Sequence, residues 1–210
     1  MSEFLQIERL IVGQMSTNCY LLTNSHTKET FIIDPGDDAD YIERIIDEKS
    51  LKIMAIVCTH GHFDHCLSVF ELKLAYNVPF YLHEEDRFLL SRMRFGAKKY
   101  LGFDAGPIPK VEKYLRSHEE IRLGELKLLI IHTPGHTPGS ICLYHKNSQT
   151  LITGDLIFAD GGVGRTDFPY SDLQKLNDSL NKIFKLPGNL IIYPGHGNSS
   201  LLEKEKNYYF

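Results

Sequence analysis

Residues 58–65 read Cys58-Thr59-His60-Gly61-His62-Phe63-Asp64-His65, three imidazoles and a carboxylate within six positions. The run before them, residues 53–58, is short and wholly apolar, as expected of a strand buried on both faces. A fold that buries this strand must therefore deliver four polar side chains to its end. Polar groups taken out of water need partners. A pair of divalent metal ions would satisfy all four, provided that other segments supply further ligands.

The order of elements gives those segments. Residues 4–12, 19–23 and 30–33 read as strands. Asp34-Pro35-Gly36 ends the third in a tight turn, where Asp34 can bond local backbone. Residues 38–50 place Tyr41, Ile42, Ile45 and Ile46 on one face, which predicts an amphipathic helix. Residues 67–76 read as a helix, 78–82 as a strand, and 84–99 as a helix broken by the Gly and Pro of 102–109. Four more strands are predicted at 120–123, 126–131, 140–144 and 150–153. A helix at 171–183 has Ser171 as its N-cap, a strand spans 190–193, and 203–210 is a short tail. Strands followed by a helix occur before residue 84 and again after 119. That repetition predicts an α/β (α+β) domain of two similar layers packed face to face.

Composition narrows the classes. A 42% hydrophobic content supports a core and excludes disorder, and 210 residues suit one large domain or two small ones. The net charge of −4 offers no chain-wide field for nucleic acid. No apolar run reaches membrane length, and residues 1–10 lack a secretion pattern. Four cysteines without CxxC spacing predict a reducing, cytoplasmic setting. Against the overall charge, residues 87–116 hold eight basic residues opposed by Asp104 and Glu112, a local +6. This segment is either a solvated helix face or a basic rim that attracts an anionic substrate.

The remaining candidate ligands also follow strands. His136 lies in Thr133-Pro134-Gly135-His136-Thr137, Asp155 in Thr153-Gly154-Asp155, and His196 in Pro194-Gly195-His196. In sheets flanked by helices, sites gather where strands end. Five histidines (His60, His62, His65, His136, His196) and two carboxylates (Asp64, Asp155) suit two metals, with zinc, iron or manganese compatible with the donors. No cysteine belongs to the set, which excludes a structural zinc site of the thiolate kind. The other histidines (His26, His83, His118, His132, His145) read as structural or surface residues, with His132 the one to watch beside His136. Cys66 reads as a small packing residue, and Arg165 and Asp167 as a pair that fixes the Gly-rich loop at 160–169.

The seven residues in this order resemble the metallo-β-lactamase superfamily of metallohydrolases, as do Asn18-Cys19-Tyr20 and Asp34-Pro35-Gly36. Gly164-Arg165-Thr166-Asp167-Phe168-Pro169 is similar to the short hydroxyacylglutathione hydrolase-like (glyoxalase II-like) group. The resemblance spans residues 4–198 and implies one αββα four-layer sandwich domain over 1–210, with two divalent metals at its edge. It implies that His60, His62 and His136 hold the first metal, that Asp64, His65 and His196 hold the second, and that Asp155 bridges them. The implied chemistry is attack of a metal-bridging hydroxide on a carbonyl, with Asp64 orienting it. No general acid adjoins the motifs. A thiolate, whose parent pKa is about 8.5, leaves without protonation, whereas an amine does not. The expected substrate is therefore a small anionic thioester, S-lactoylglutathione or similar, with no nucleic acid or membrane partner. Full-length glyoxalase II carries a C-terminal helical domain that contacts glutathione. Here the chain ends 14 residues after His196, so such contacts are expected from 94–109 and 158–168 instead. The alternative is an oxidoreductase resembling the persulfide dioxygenases, which share the Gly-Arg-Thr-Asp-Phe loop and hold one iron at the equivalents of His60, His136 and Asp155.

Overall fold

A computed structural model describes residues 4–209. Strands β1 (Leu5–Val12), β2 (Thr17–Asn24) and β3 (Glu29–Ile33) form an antiparallel meander. Helix α1 (Ala39–Glu48) then returns the chain to β4 (Lys52–Val57), parallel to β3. Two short helices, α2 (Phe63–Cys66) and α3 (Val69–Tyr76), lead to β5 (Phe80–His83), parallel to β4. After a 3-10 turn at Glu84–Asp86 come α4 (Arg87–Leu90), α5 (Met93–Tyr100) and β6 (Lys113–Leu115). The first sheet has the order β1-β2-β3-β4-β5-β6.

The second half repeats the plan. Strands β7 (Glu120–Leu123), β8 (Leu126–His132), β9 (Ile141–His145) and β10 (Thr150–Gly154) are antiparallel neighbours. Helix α6 (Leu173–Ile183) crosses to β11 (Ile191–Pro194), parallel to β10, and β12 (Ser200–Leu201) and α7 (Leu202–Lys206) follow. This sheet has the order β12-β11-β10-β9-β8-β7.

Three apolar clusters define the layers. Tyr20, Leu22, Phe31, Ile33 and Val57 of the first sheet meet Leu128, Ile130, Leu143 and Ile152 of the second in one central core. The other face of the first sheet packs on Ile42 and Ile46 of α1 and Leu72 of α3. The other face of the second packs on Leu176, Leu180 and Ile183 of α6 and Leu202 of α7. The result is an αββα sandwich. Strands β2, β9 and β10 are buried at every position, so apolar side chains occur on both faces and no alternation appears in their sequences. Among the described residues no helix is long and apolar enough to cross a membrane.

The departures from the sequence reading are local. The helix expected at 67–76 spans Val69–Tyr76, and a separate turn of helix, Phe63–Cys66, lies inside the histidine cluster before it. The helix expected at 84–99 is three short pieces. Strand β6 escaped notice because it is three residues long, half polar, and embedded in the basic segment. The N-cap of α6 is Asp172, whose carboxylate accepts from the Lys175 N–H at 3.0 Å, and not Ser171. The hydroxyl of Ser171 instead donates to the His136 carbonyl at 2.7 Å. Residues 203–206 of the expected tail lie in α7, and Phe210 lies outside the described residues.

Candidate metal centre

The structure brings all seven predicted residues together at one edge of the sandwich. They arrive on the segments that follow β4, β8, β10 and β11. Two close approaches require glycine: a Cβ on Gly195 would strike the Asp155 carboxylate and the His65 ring, and one on Gly164 would strike the Asp155 carbonyl and the His136 ring.

One half of the cluster is made of imidazoles. His62 Nδ1 lies 3.1 Å from His60 Nε2 and 2.9 Å from His136 Nε2. Outer hydrogen bonds decide which nitrogens carry protons. His136 Nδ1 faces the Arg165 carbonyl at 2.8 Å and must donate to it, which leaves Nε2 with a lone pair. The Thr59 hydroxyl donates to Asp34 Oδ2 at 2.7 Å, so it accepts from His60 Nδ1 at 3.1 Å, and His60 Nε2 also points inward unprotonated. His62 Nε2 is 2.8 Å from the Tyr170 hydroxyl. Burial, reinforced by His65, His62 and His136, lowers His60 far below the ordinary histidine range. Burial and then His136 push His62 down to about 3. His60 and His62 are neutral at pH 7, and the outer hydrogen bonds leave at most one proton for the three converging nitrogens.

The other half is charged. His65 Nε2 lies 3.5 Å from Asp155 Oδ1 and 3.8 Å from Asp64 Oδ2, and His196 Nε2 lies 3.4 Å from Asp64 Oδ2. Burial alone would lower His65, but Asp155, Asp64 and Asp34 outweigh it and raise the ring to about 10. Burial would raise Asp64, yet His65 and His196 hold it well below the carboxylate range. His196 is raised because its contacts with Asp64 and Asp155 exceed its burial penalty. Asp155 faces both halves: its Oδ2 is 3.5 Å from His136 Nε2 and 3.8 Å from His196 Nε2.

This arrangement fits cations. Asp155 Oδ1 is buried without a hydrogen-bond partner, and at least two of the three converging imidazole nitrogens present lone pairs to the same space. Both features cost free energy until a positive charge occupies the space between them. Donor atoms within 4.8 Å of one another occur in His60-His62-His136, in Asp64-His65-His196, and in His60-His65-Asp155. His83, Glu85 and His132 form a further such group. There the two rings stack at 4.2 Å, 12° from parallel, so their lone pairs run side by side rather than converging. His132 Nε2 donates to the Pro138 carbonyl at 2.8 Å rather than to any of the seven.

Residues 12–196 match the metallo-β-lactamase superfamily. The chain belongs to that superfamily. It is 32% identical to "Hydroxyacylglutathione hydrolase GloC" of Haemophilus influenzae, over 96% of this chain and 95% of that one. Among solved structures it is similar to BLEG-1, described as a B3 metallo-beta-lactamase (31% identity, TM-score 0.89, 96% and 97% of the two chains). It is also similar to TTHA1623, solved in a di-iron-bound form (30% identity, TM-score 0.84, 95% and 96% of the two chains). Proteins of one metallo-hydrolase architecture thus carry different activity names, so the substrate of this superfamily member must be read from its own cavity.

Several supporting residues were not recognised as such from sequence. Asp34, read as a turn former and as part of a family-like motif, is buried and accepts from the Thr59 N–H and hydroxyl at 2.7 Å each, and lies 3.1 Å from His65 Nδ1. Asp86 is buried and accepts from Gly61 N–H (2.8 Å), the Thr137 hydroxyl (2.7 Å) and Gly139 N–H (2.6 Å). It thereby ties the loop of His60 and His62 to the loop of His136. Asn18 and Tyr20 act at a distance: the Asn18 amide donates to the Pro194 and Gly197 carbonyls, and the Tyr20 hydroxyl to Pro194, which fixes the turn of His196. The Cys66 thiol donates to the His60 carbonyl at 3.6 Å and is packing. Arg165 and Asp167 form the expected bidentate pair, at 2.9 and 2.7 Å.

A cavity of about 590 Å³ opens onto the cluster, with His62, Asp64, His136, Asp155 and His196 on its floor. The basic segment contributes less than its count suggests. Arg94 pairs with Asp104 and Lys113 with Glu119, whereas Arg92 and Lys99 line the cavity.

Proposed function

We propose that this protein is a dinuclear metal-dependent hydrolase of small anionic thioesters, with His60, His62 and His136 holding one ion, Asp64, His65 and His196 the other, and Asp155 shared. The observation that carries the reading is the pairing of two donor sets through Asp155 on the floor of a single cavity. Two divalent ions bound there, zinc first among them with iron or manganese also accommodated, would supply the Lewis acidity and lowered water pKa that hydrolysis at neutral pH requires. Asp64, facing the cavity, would orient the attacking water. Its carboxylate stays ionised, so it can accept a proton but has none to give.

The leaving group follows from the lining. Beyond the metal donors, the groups that could protonate a departing amine are Tyr100, Tyr170, Arg92, Lys99 and Arg165. Burial raises Tyr170 to about 12, and its hydroxyl is held by His62. With Tyr170 so held against a metal donor, the floor of the site favours a group that leaves as an anion, and a thiolate does so readily. The net reaction breaks the C–S bond, forms a C–O bond from water, and yields a carboxylate, a thiol and one proton. Hydroxyacylglutathiones, the substrates in the name of the Haemophilus relative, are the first class to test.

The test is metal analysis and thioester hydrolysis on one purified sample, with S-lactoylglutathione and coenzyme A thioesters. Two ions per chain and hydrolysis abolished by chelation are expected. One iron per chain with oxygen uptake on glutathione persulfide would overturn the reading in favour of a persulfide dioxygenase-like oxidoreductase.

A further inference from the structure

The cavity wall above the metal donors is aromatic. Phe168 and Tyr170 stack at 5.4 Å, 7° from parallel, and Phe63 and Tyr100 at 5.7 Å, 1° from parallel. Phe95 and Tyr100 remain 71% and 49% exposed at the mouth, although both line the cavity. Large apolar surface left open beside a site is suited to cover an apolar part of a ligand.

Charge at the mouth has one sign. The Arg92 guanidinium lies 5.3 Å from the Phe88 ring and 5.8 Å from Tyr170, and Lys99 Nζ lies 5.1 Å from Tyr100. Among the described residues neither cation is paired with a carboxylate. The third basic residue of the lining, Arg165, is neutralised by Asp167. The only carboxylates in the lining are Asp64 and Asp155, both belonging to the metal donors. An anionic head therefore finds two free cations, and an ammonium group finds no free acid.

We infer that the preferred thioester carries an apolar, aromatic-sized body against the Phe168–Tyr170 stack and an anionic head taken by Arg92 and Lys99, with no ammonium group. This deepens the hydrolase reading and rests on it. Glutathione matches the pattern poorly: it brings an ammonium and two amides, and unpaired polar groups against an aromatic wall cost binding.

The experiment compares phenylacetyl thioesters of 3-mercaptopropionate, coenzyme A and propanethiol with S-lactoylglutathione, on metal-loaded wild type and on Arg92→Gln, Lys99→Gln and the double variant. Both side chains are exposed, so the variants fold. The mercaptopropionate thioester is expected to exceed the propanethiol thioester and S-lactoylglutathione by about tenfold in kcat/KM, and the double variant to lose about tenfold through KM at unchanged kcat. A leading coenzyme A thioester with the same dependence on Arg92 and Lys99 supports the inference and makes the anion a phosphate. A leading S-lactoylglutathione, or indifference to both substitutions, overturns it and leaves the hydrolase reading intact. If no thioester is hydrolysed, the hydrolase reading fails. Calorimetry with the thioether 3-(benzylthio)propanoate then decides the cavity: binding lost in the double variant upholds the inference, and absent or unaltered binding overturns it.

Discussion

The two halves of the proposed metal centre solve the same problem in opposite ways. The His60-His62-His136 half is assembled from imidazoles alone, whose outer nitrogens face Thr59, Tyr170 and the Arg165 carbonyl. The Asp64-His65-His196 half is built from opposite charges, and the proton on His65 stands in for a cation among Asp155, Asp64 and Asp34. The first half presents lone pairs to an ion. The second must exchange a proton for one. Sites that share a floor and a carboxylate therefore need not load alike.

Asp155 joins the halves, and its removal breaks the comparison most severely. Asp155→Ala should lower hydrolysis by about a thousandfold, roughly 4 kcal/mol of barrier, with metal analysis showing loss of at least one ion. Unchanged turnover would place the chemistry elsewhere.

Stripping metal tests both halves together. Ions at about a thousandfold above their Kd stabilise a site by about 4 kcal/mol. For a chain of this length that is on the order of 10 °C in Tm per ion, so calorimetry of chelated and fully reloaded protein should differ by about 20 °C.

Two outer partners then separate the halves. Tyr170→Phe keeps the stack on Phe168 but removes the hydroxyl at His62. It should weaken only the first ion, by roughly tenfold. Asp34→Asn removes a carboxylate beside His65 and should weaken the second ion by about ten- to a hundredfold, and the first less, through Thr59 and His60. Competition with a chromophoric chelator reads both; equal weakening of the two ions by either variant would mean that the halves are not distinct.

How much of this was visible in the chain depends on what kind of signal each residue leaves. His60, His62, Asp64, His65, His136, Asp155 and His196 stand out because titratable residues directly after apolar strands are chemically expensive without a purpose. The face-to-face layers were legible because strands and helices recur in the same order twice. Asp34 and Asp86 were not legible as supports. Each acts on groups 25 or more positions away, and each sits where an acidic residue has an ordinary local explanation, a turn in one case and an acidic run in the other. The basic segment divides between its two readings: Arg94 and Lys113 are paired with nearby Asp104 and Glu119, whereas Arg92 and Lys99 line the cavity, and the count of charges in sequence does not separate them.

The central claim is that one half of the centre binds its ion without displacing a proton and the other does not. Zinc titration by calorimetry at several pH values between 5.5 and 8 tests it directly. His60 and His62 are already neutral in that range. His65, raised to about 10, must lose a proton, and His196 of the same site is raised too, so affinity there should climb at least about tenfold per pH unit. The prediction is one class of site with nearly constant affinity and a second that strengthens steadily with pH. Two sites rising in parallel, or a single ion bound at every pH, would contradict it.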